Sequence, residues 1–282
     1  MWKVTWRRFR RSRLAVAALI YVAAVTLIAA AAPLIAERGR LLPFDPNEVD
    51  FSSRFRPPDH LHRLGTDDLG RDVLARMIHG ARVSLTVGFL ATAISLVIGS
   101  LLGALAGYYR GVADWIVSRT IEVVLCFPFL FLVLGIVALF GPSLYTIMIA
   151  LGLTSWTAEA RFVRGEFLRI REMDFAYAAR ASGARDARII LRHLLPNALA
   201  PVLVSASFGV ASAILTESAL SFLGFGVPLP TPTWGSILLA AQQNIEYAWW
   251  LVVFPGVAIF LTVASFNIIG DRFRDALDPR AE

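Results

Sequence analysis

From Leu14 to Ala36 the chain runs twenty-three residues without a charged side chain. A helix of about 20 such residues crosses the ~30 Å hydrocarbon core of a bilayer, where every backbone polar group must find its partner inside the helix. Four more tracts repeat the pattern, and 57% of the 282 residues are apolar, above the ~45–50% usual in soluble domains. The chain therefore reads as an all-α polytopic membrane protein with six spans. These are 14–36, about 83–108, two within 116–156 divided at Gly141-Pro142-Ser143, 198–222 and about 249–270. Trp249 and Trp250 suit an interfacial anchor.

The first run follows a basic tail, residues 1–13, and is too long for the ~7–15-residue core of a signal peptide, so it reads as an uncleaved anchor. With that tail in the cytoplasm, nineteen of the 27 basic residues fall in inside segments. The other eight share one long external loop, 37–82, with eight acids. Both termini are then cytoplasmic by the positive-inside rule. The same distribution argues against nucleic-acid binding, because the arginines are spread by loop rather than gathered on one face.

Absences narrow the function. No G-x-x-x-x-G-K-[ST] loop exists, and the single lysine, Lys3, lies in the tail, so this chain cannot supply a P-loop. His60 and His62 lack further metal-ligating neighbours and read as a solvated pair; Cys126, the single cysteine, can form no intrachain disulfide. Nothing calls for a catalytic role, a cofactor or a metal, which leaves transport or signalling. An ion-coupled carrier would need an intramembrane carboxylate, for which Glu122 and Glu217 are the candidates. A lipid-binding scaffold is a third possibility.

Within the spans, Gly99, Gly103 and Gly107 form two consecutive G-x-x-x-G steps, a groove for close helix approach. Pro128, between Phe127 and Phe129, predicts a kink inside the third span; Pro128 and Glu217, the latter near the external end of the fifth span, are the gating candidates. In the external loop, Thr66 is placed as an N-cap, with Asp67 and Asp68 in the first turn of a short amphipathic helix. Residues 224–234, with three prolines, form a stiff non-helical cover.

The segment between the fourth and fifth spans, 159–197, is the anomaly. Residues 159–173 extend the fourth helix; Ala176, Ala178, Ala179, Ala181 and Ser182 then offer small side chains before Gly183, placed at a left-handed C′ position. Beyond it, Ala187, Ile190, Leu191, Leu194 and Leu195 predict one helical face opposed by Arg185, Arg188 and Arg192, up to Pro196. Leaflet binding accounts for the arginines, but only docking to a partner accounts for the alanines and the glycine as well.

The spacing of Ala178, Ala179, Gly183, Leu195 and Pro196 resembles the EAA loop of ABC importer permeases. Leu64–Asp72, Phe127-Pro128, Gly141-Pro142, Leu151–Trp156, Arg161–Glu166 and Thr216–Trp234 are similar to the C-type permease subunit of dipeptide, oligopeptide and nickel importers. The resemblance spans nearly the whole chain. It implies a multi-pass subunit of a bacterial inner membrane, paired with a homologous permease, two cytoplasmic ATPase subunits and an extracytoplasmic substrate-binding protein. Residues 83–282 would form the five-helix core, and ATP hydrolysis would lie on the separate subunits. Tyr177, Ala178, Ala179 and Gly183 are implied at the ATPase interface, with Arg180 and Arg185 as charged contacts. Two positions depart from the pattern: Tyr177 stands where the loop has glutamate, and His193 where it has isoleucine.

Overall fold

The computed structural model describes residues 2–35 and 44–277. Ala36, where the first span is expected to end, and residues 37–43 at the head of the external loop lie outside them. The described chain is helical, and its single β-bridge, Thr66 to Asp72, is isolated. An amphipathic helix α1 (Trp2–Arg11) precedes α2 (Arg13–Ile35). Next come α3 (Val73–Tyr109), α4 (Gly111–Leu125), α5 (Phe129–Phe140) and α6 (Leu144–Ile170). The short helices α7 (Asp174–Ala181) and α8 (Asp186–Arg188) lead through a π-helical turn, Ile189–Leu194, into α9 (Leu195–Phe222). The chain closes with α10 (Trp234–Ala241) and α11 (Trp250–Leu277).

Four helices are long and apolar enough to cross a membrane: α2, α3, α9 and α11. Counting the bent pair α4 and α5 as one span makes five. Helix α6 has the length, but its second half carries Glu159, Arg161, Arg164, Glu166 and Arg169.

The two ends of the bundle are distinct. At one end Phe9 of α1 packs on Phe273 near the end of α11, with ring centroids 4.7 Å apart, and Arg171 after α6 donates to the carbonyl of Tyr108 at the end of α3. The other end gathers the start of α3, the end of α9, α10 and the start of α11, since Trp234 Nε1 donates to the Met77 carbonyl and Trp250 Nε1 to that of Thr66.

The glycine groove closes within this chain, against α6. A Cβ on Gly99 would lie 2.5 Å from Glu159 Cβ, one on Gly103 2.5 Å from the Ala160 carbonyl, and one on Gly107 2.6 Å from Phe167 Cβ. Lipid is as apolar as leucine, so close contact and dispersion hold this pair where water exclusion cannot. The proline in the third span does more than kink it. Pro128 takes the N-cap position of α5, and the axis turns by 85° between Leu125 and Phe129. A proline has no N–H to donate and its ring clashes with the preceding turn, so α4 stops and α5 begins anew.

The external loop differs from expectation. Thr66 caps no helix; residues 66–72 form a tight turn, and the helix begins at Val73 with Asp72 as its cap, accepting from the Ala75 amide at 2.8 Å. The predicted separate amphipathic helix is instead the first turns of α3. Asp67, expected to favour a helix dipole, is buried as an anchor: its carboxylate accepts from the Leu69 and Arg71 amides and from Arg71 Nε at 2.7 Å, and forms an ion pair with Arg76 Nε at 3.3 Å. Arg76, 2% exposed, reaches on to the Pro46 carbonyl. Two buried guanidinium groups attract the acid more strongly than a helix end can. The cover at 224–233 is non-helical as expected, but it leads into α10, which the proline-rich approach obscured; Thr233 and Ser236 cap that helix reciprocally.

Gly103→Val is expected to lower stability by about 1–3 kcal/mol through overpacking against α6. Gly135→Val, where a Cβ meets nothing within 4 Å, should be near neutral, both read by thermal unfolding in detergent. Asp67→Asn, which leaves two buried arginines under-paired, is expected to cost about 3–5 kcal/mol in the same assay.

Candidate functional site

Helix α7 ends because its sequence runs into Gly183. There the backbone turns left-handed, with φ +73°, in a conformation costly to any residue with a Cβ. The Gly183 amide donates to the Arg180 carbonyl and the Ala184 amide to that of Ala179, which together close a Schellman turn. Ala179 and Ala184 pack against the same apolar cluster beneath it. The C′ position assigned to Gly183 is the one the backbone occupies.

The small residues divide between two faces. Ala176 is fully buried in a cluster with Tyr108, Val163, Phe167, Ile170 and Ile189, and Ala179 is half-buried against it. Ala178, Ala181 and Ser182 face outward with Tyr177, which is 48% exposed. Arg180 is half-buried, its guanidinium 5.7 Å from the Tyr108 ring and 5.6 Å from the Tyr177 ring, whereas Arg185 is exposed. Of the residues implied at an interface, Tyr177, Ala178, Gly183 and Arg185 are thus presented outward, and Ala179 and Arg180 hold the unit to the bundle.

Two tyrosines and two acids complete the arrangement, and no sequence spacing indicates either pairing. Tyr108 donates to the Asp186 carboxylate at 2.6 Å, which joins the end of α3 to the segment beyond Gly183. Tyr177 donates to the Glu172 carboxylate. That bond holds the Glu172 carboxyl below the usual range and pushes the Tyr177 phenol up. Met173 and Phe175, 37% exposed each, add apolar surface beside Tyr177.

The face predicted from 3.6-residue spacing beyond Gly183 is partly wrong. Residues 189–194 wind as a π-helix, so Ile189 and Leu194 are buried while Leu191 is 60% exposed. The wider turn tolerates Pro196, which cannot donate to the turn before it. Asn197 Nδ2 instead donates to the His193 carbonyl.

Glu217 lies far from this unit, at the other end of the bundle, and is fully buried. Its carboxylate accepts from Ser221 Oγ at 2.7 Å and Ser84 Oγ at 3.1 Å. Ser84 accepts in turn from the Trp234 amide, and Thr233 donates to Ser221. One carboxylate thereby ties α3, α9 and the start of α10. Glu122, the other intramembrane candidate, pairs with Arg119 at the surface. His62 is buried rather than solvated, with Nδ1 3.0 Å from Asp72, and the described residues contain no cluster of three metal-ligating side chains.

Two family descriptions match the chain: binding-protein-dependent transport system inner membrane component over residues 99–282, and N-terminal TM domain of oligopeptide transport permease C over residues 1–58. The chain is 42% identical to the dipeptide transport system permease protein of Alkalihalophilus pseudofirmus over 279 residues, 99% of this chain and 90% of that one. It is 39% identical to the glutathione transport system permease protein of Pectobacterium atrosepticum over 280 residues, 99% and 91% of the two. Among solved structures, an inward-facing form of the MetNI methionine ABC transporter aligns with a TM-score of 0.53 at 20% identity, over 73% of this chain and 98% of that one. That likeness is one of fold.

Tyr108→Phe removes the bond to Asp186 and is expected to cost about 1 kcal/mol locally. Hydrogen exchange should accelerate in residues 182–190 while the amides of α6 keep their protection.

Proposed function

The chain belongs to the family of binding-protein-dependent transport system inner membrane components, and on that premise we propose that it carries peptides inward as one permease subunit of an ATP-driven importer. The outward-facing unit of α7, Ser182 and Gly183 carries this reading. It stands at the bundle end that also holds α1 and the end of α11, with small side chains outside and a packed cluster inside. A cleft in an ATPase subunit can receive Tyr177, Ala178, Gly183 and Arg185, while Ala179 and Arg180 pass the movement into the bundle.

Peptide transport is supported by the dipeptide and glutathione named for the relatives. The subunit pairs with a homologous permease, binds two cytoplasmic ATPase subunits inside and meets a substrate-binding protein outside, in a bacterial inner membrane. Six spans, with α4 and α5 as the third and α6 as the fourth, put both termini and α7 in the cytoplasm. The short tail 1–13, the anchor 14–36 and the loop 37–82 precede a core at 83–282 whose cytoplasmic loop is 159–197.

The chemistry of ATP hydrolysis lies outside this chain, which lacks a P-loop lysine. ATPase closure displaces α7. Tyr108, Asp186, Arg180 and the cluster around Phe167 carry that displacement to α3 and α6. Two places have the form of discrete switches: the 85° break at Pro128 and the tie at Glu217.

Vesicles containing the assembled complex are expected to take up peptide only with ATP and the binding protein present. Ala178→Trp, on the exposed face, and Gly183→Pro, at the left-handed turn, should each reduce uptake by roughly ten-fold or more while the complex still assembles. Uptake indifferent to ATP would overturn the proposal.

A further inference from the structure

A cleft of about 420 Å³ runs beside the break at Pro128, between α3, α6 and α9, with Phe127 and Phe129 on its rim. Its walls carry several hydroxyls, among them Thr92, Thr157, Ser205 and Ser212. One lining side chain is charged: Glu159. The residue sits fifteen positions along α6 from Leu144, about 22 Å down that helix, at the start of its charged half.

Glu159 differs from every other buried carboxylate described above. Asp67 has two arginines, Asp72 a histidine and Glu217 two hydroxyl donors. Glu159 is 8% exposed and receives one hydrogen bond, from Ser205 Oγ at 2.7 Å, whose hydrogen is shared with the Val202 carbonyl at 2.8 Å. Among the described residues no arginine or histidine pairs with it. A carboxylate offers about four acceptor sites, and among the described residues Ser205 is the one protein donor that reaches Glu159. Nearby, the buried hydroxyl of Thr92 has no partner either. A carboxylate held in low dielectric without a cation is costly, and such residues in membrane spans face pathways or ligands. Its placement is also specific, because the missing side chain of Gly99 is what lets Glu159 Cβ approach α3.

We propose that Glu159 and the hydroxyls around it form a transient site for the ammonium group of the passing solute, the protonated amino terminus of a short peptide. An ammonium has three donors and no acceptor. One donor meets Glu159 and the others meet hydroxyl oxygens; the volume lies within the ~300–1,000 Å³ usual for small-molecule sites. One charge with weak neutral partners is suited to a pathway, where binding must permit both entry and release. The ligand class rests on the importer reading above; the charge of the cleft can be tested independently of it.

Ala158 is exposed, lines the cleft and adjoins Glu159. In the full complex, with exposed Cys126 replaced by serine, Ala158→Cys is exposed to two thiosulfonates of similar size, one trimethylammonium and one sulfonate. The cationic reagent is expected to react roughly ten-fold faster, relative to the pair's ratio on a free thiol, because a partly desolvated carboxylate nearby attracts it. Glu159→Gln should collapse that preference and Glu159→Asp should retain it. On the Cys126→Ser background without the reporter cysteine, Glu159→Gln should also cut uptake of labelled trialanine by roughly ten-fold with Glu159→Asp near normal. A preference unchanged in Glu159→Gln, or lost equally in Glu159→Asp, overturns the charged site. Full uptake in Glu159→Gln overturns its role toward the solute. Absence of ATP-driven uptake in the parent complex counts instead against the importer reading, and the reagent ratio still decides whether the cleft is anionic.

Discussion

The contact of α3 with α6 carries the rest of the structure. Along three glycines, two helices meet so closely that a single added carbon would strike the backbone or a Cβ of the other. Inside a bilayer such contact takes the place of hydrophobic burial. Its consequences reach both ends. At one end it brings Tyr108 to Arg171 and Asp186, so the outward-facing unit of α7 is seated on helix termini rather than on a flexible strap. Midway it draws Glu159 against α3 and sets one wall of the cleft. Loosening this contact would move the unit and the cleft together.

The far end is held differently. There the chain uses buried polar ties: Asp67 with two arginines, and Glu217 with hydroxyls from two helices. Such ties have defined geometry and are strongly penalised when half-made, so they favour discrete arrangements over gradual sliding. A bundle that is dry and close-packed along one seam, hydroxyl-lined in the middle and latched at one end has the elements of a two-state device.

Much of this was legible in residue patterns, and the failures have physical causes. Charge-poor runs marked the four long apolar helices α2, α3, α9 and α11, and the glycine spacing marked a packing face, because both depend on a few residues along one helix. Gly183 was legible because a left-handed turn after a run of small helix formers admits few other residues. Thr66 and Asp67 misled because a cap signal is local, whereas Arg76, which captures Asp67, acts from the next helical turns. The π-winding after Arg188 defeated a 3.6-residue template, and the break at Pro128 exceeded the kink that one proline suggests. Glu159 read as part of a charged helix extension; that it stands alone in a cleft depends on α3 and α9, far away in sequence.

Tyr177 occupies the position where the EAA-loop resemblance led one to expect an acid. Its hydroxyl engages the Glu172 carboxylate, and its ring stands beside the Arg180 guanidinium. The tip of residue 177 is therefore accompanied by a carboxylate supplied from five residues earlier, held below its usual pKa and hence ionised throughout the neutral range. Replacing an acid by a tyrosine thus need not remove negative charge from this surface, provided a neighbouring acid lies within reach of the phenol. The sequence pattern registers a missing glutamate because it compares single positions. A partner docking as proposed would meet the assembled surface, where a phenol and a carboxylate joined by one hydrogen bond present both an aromatic face and an anion.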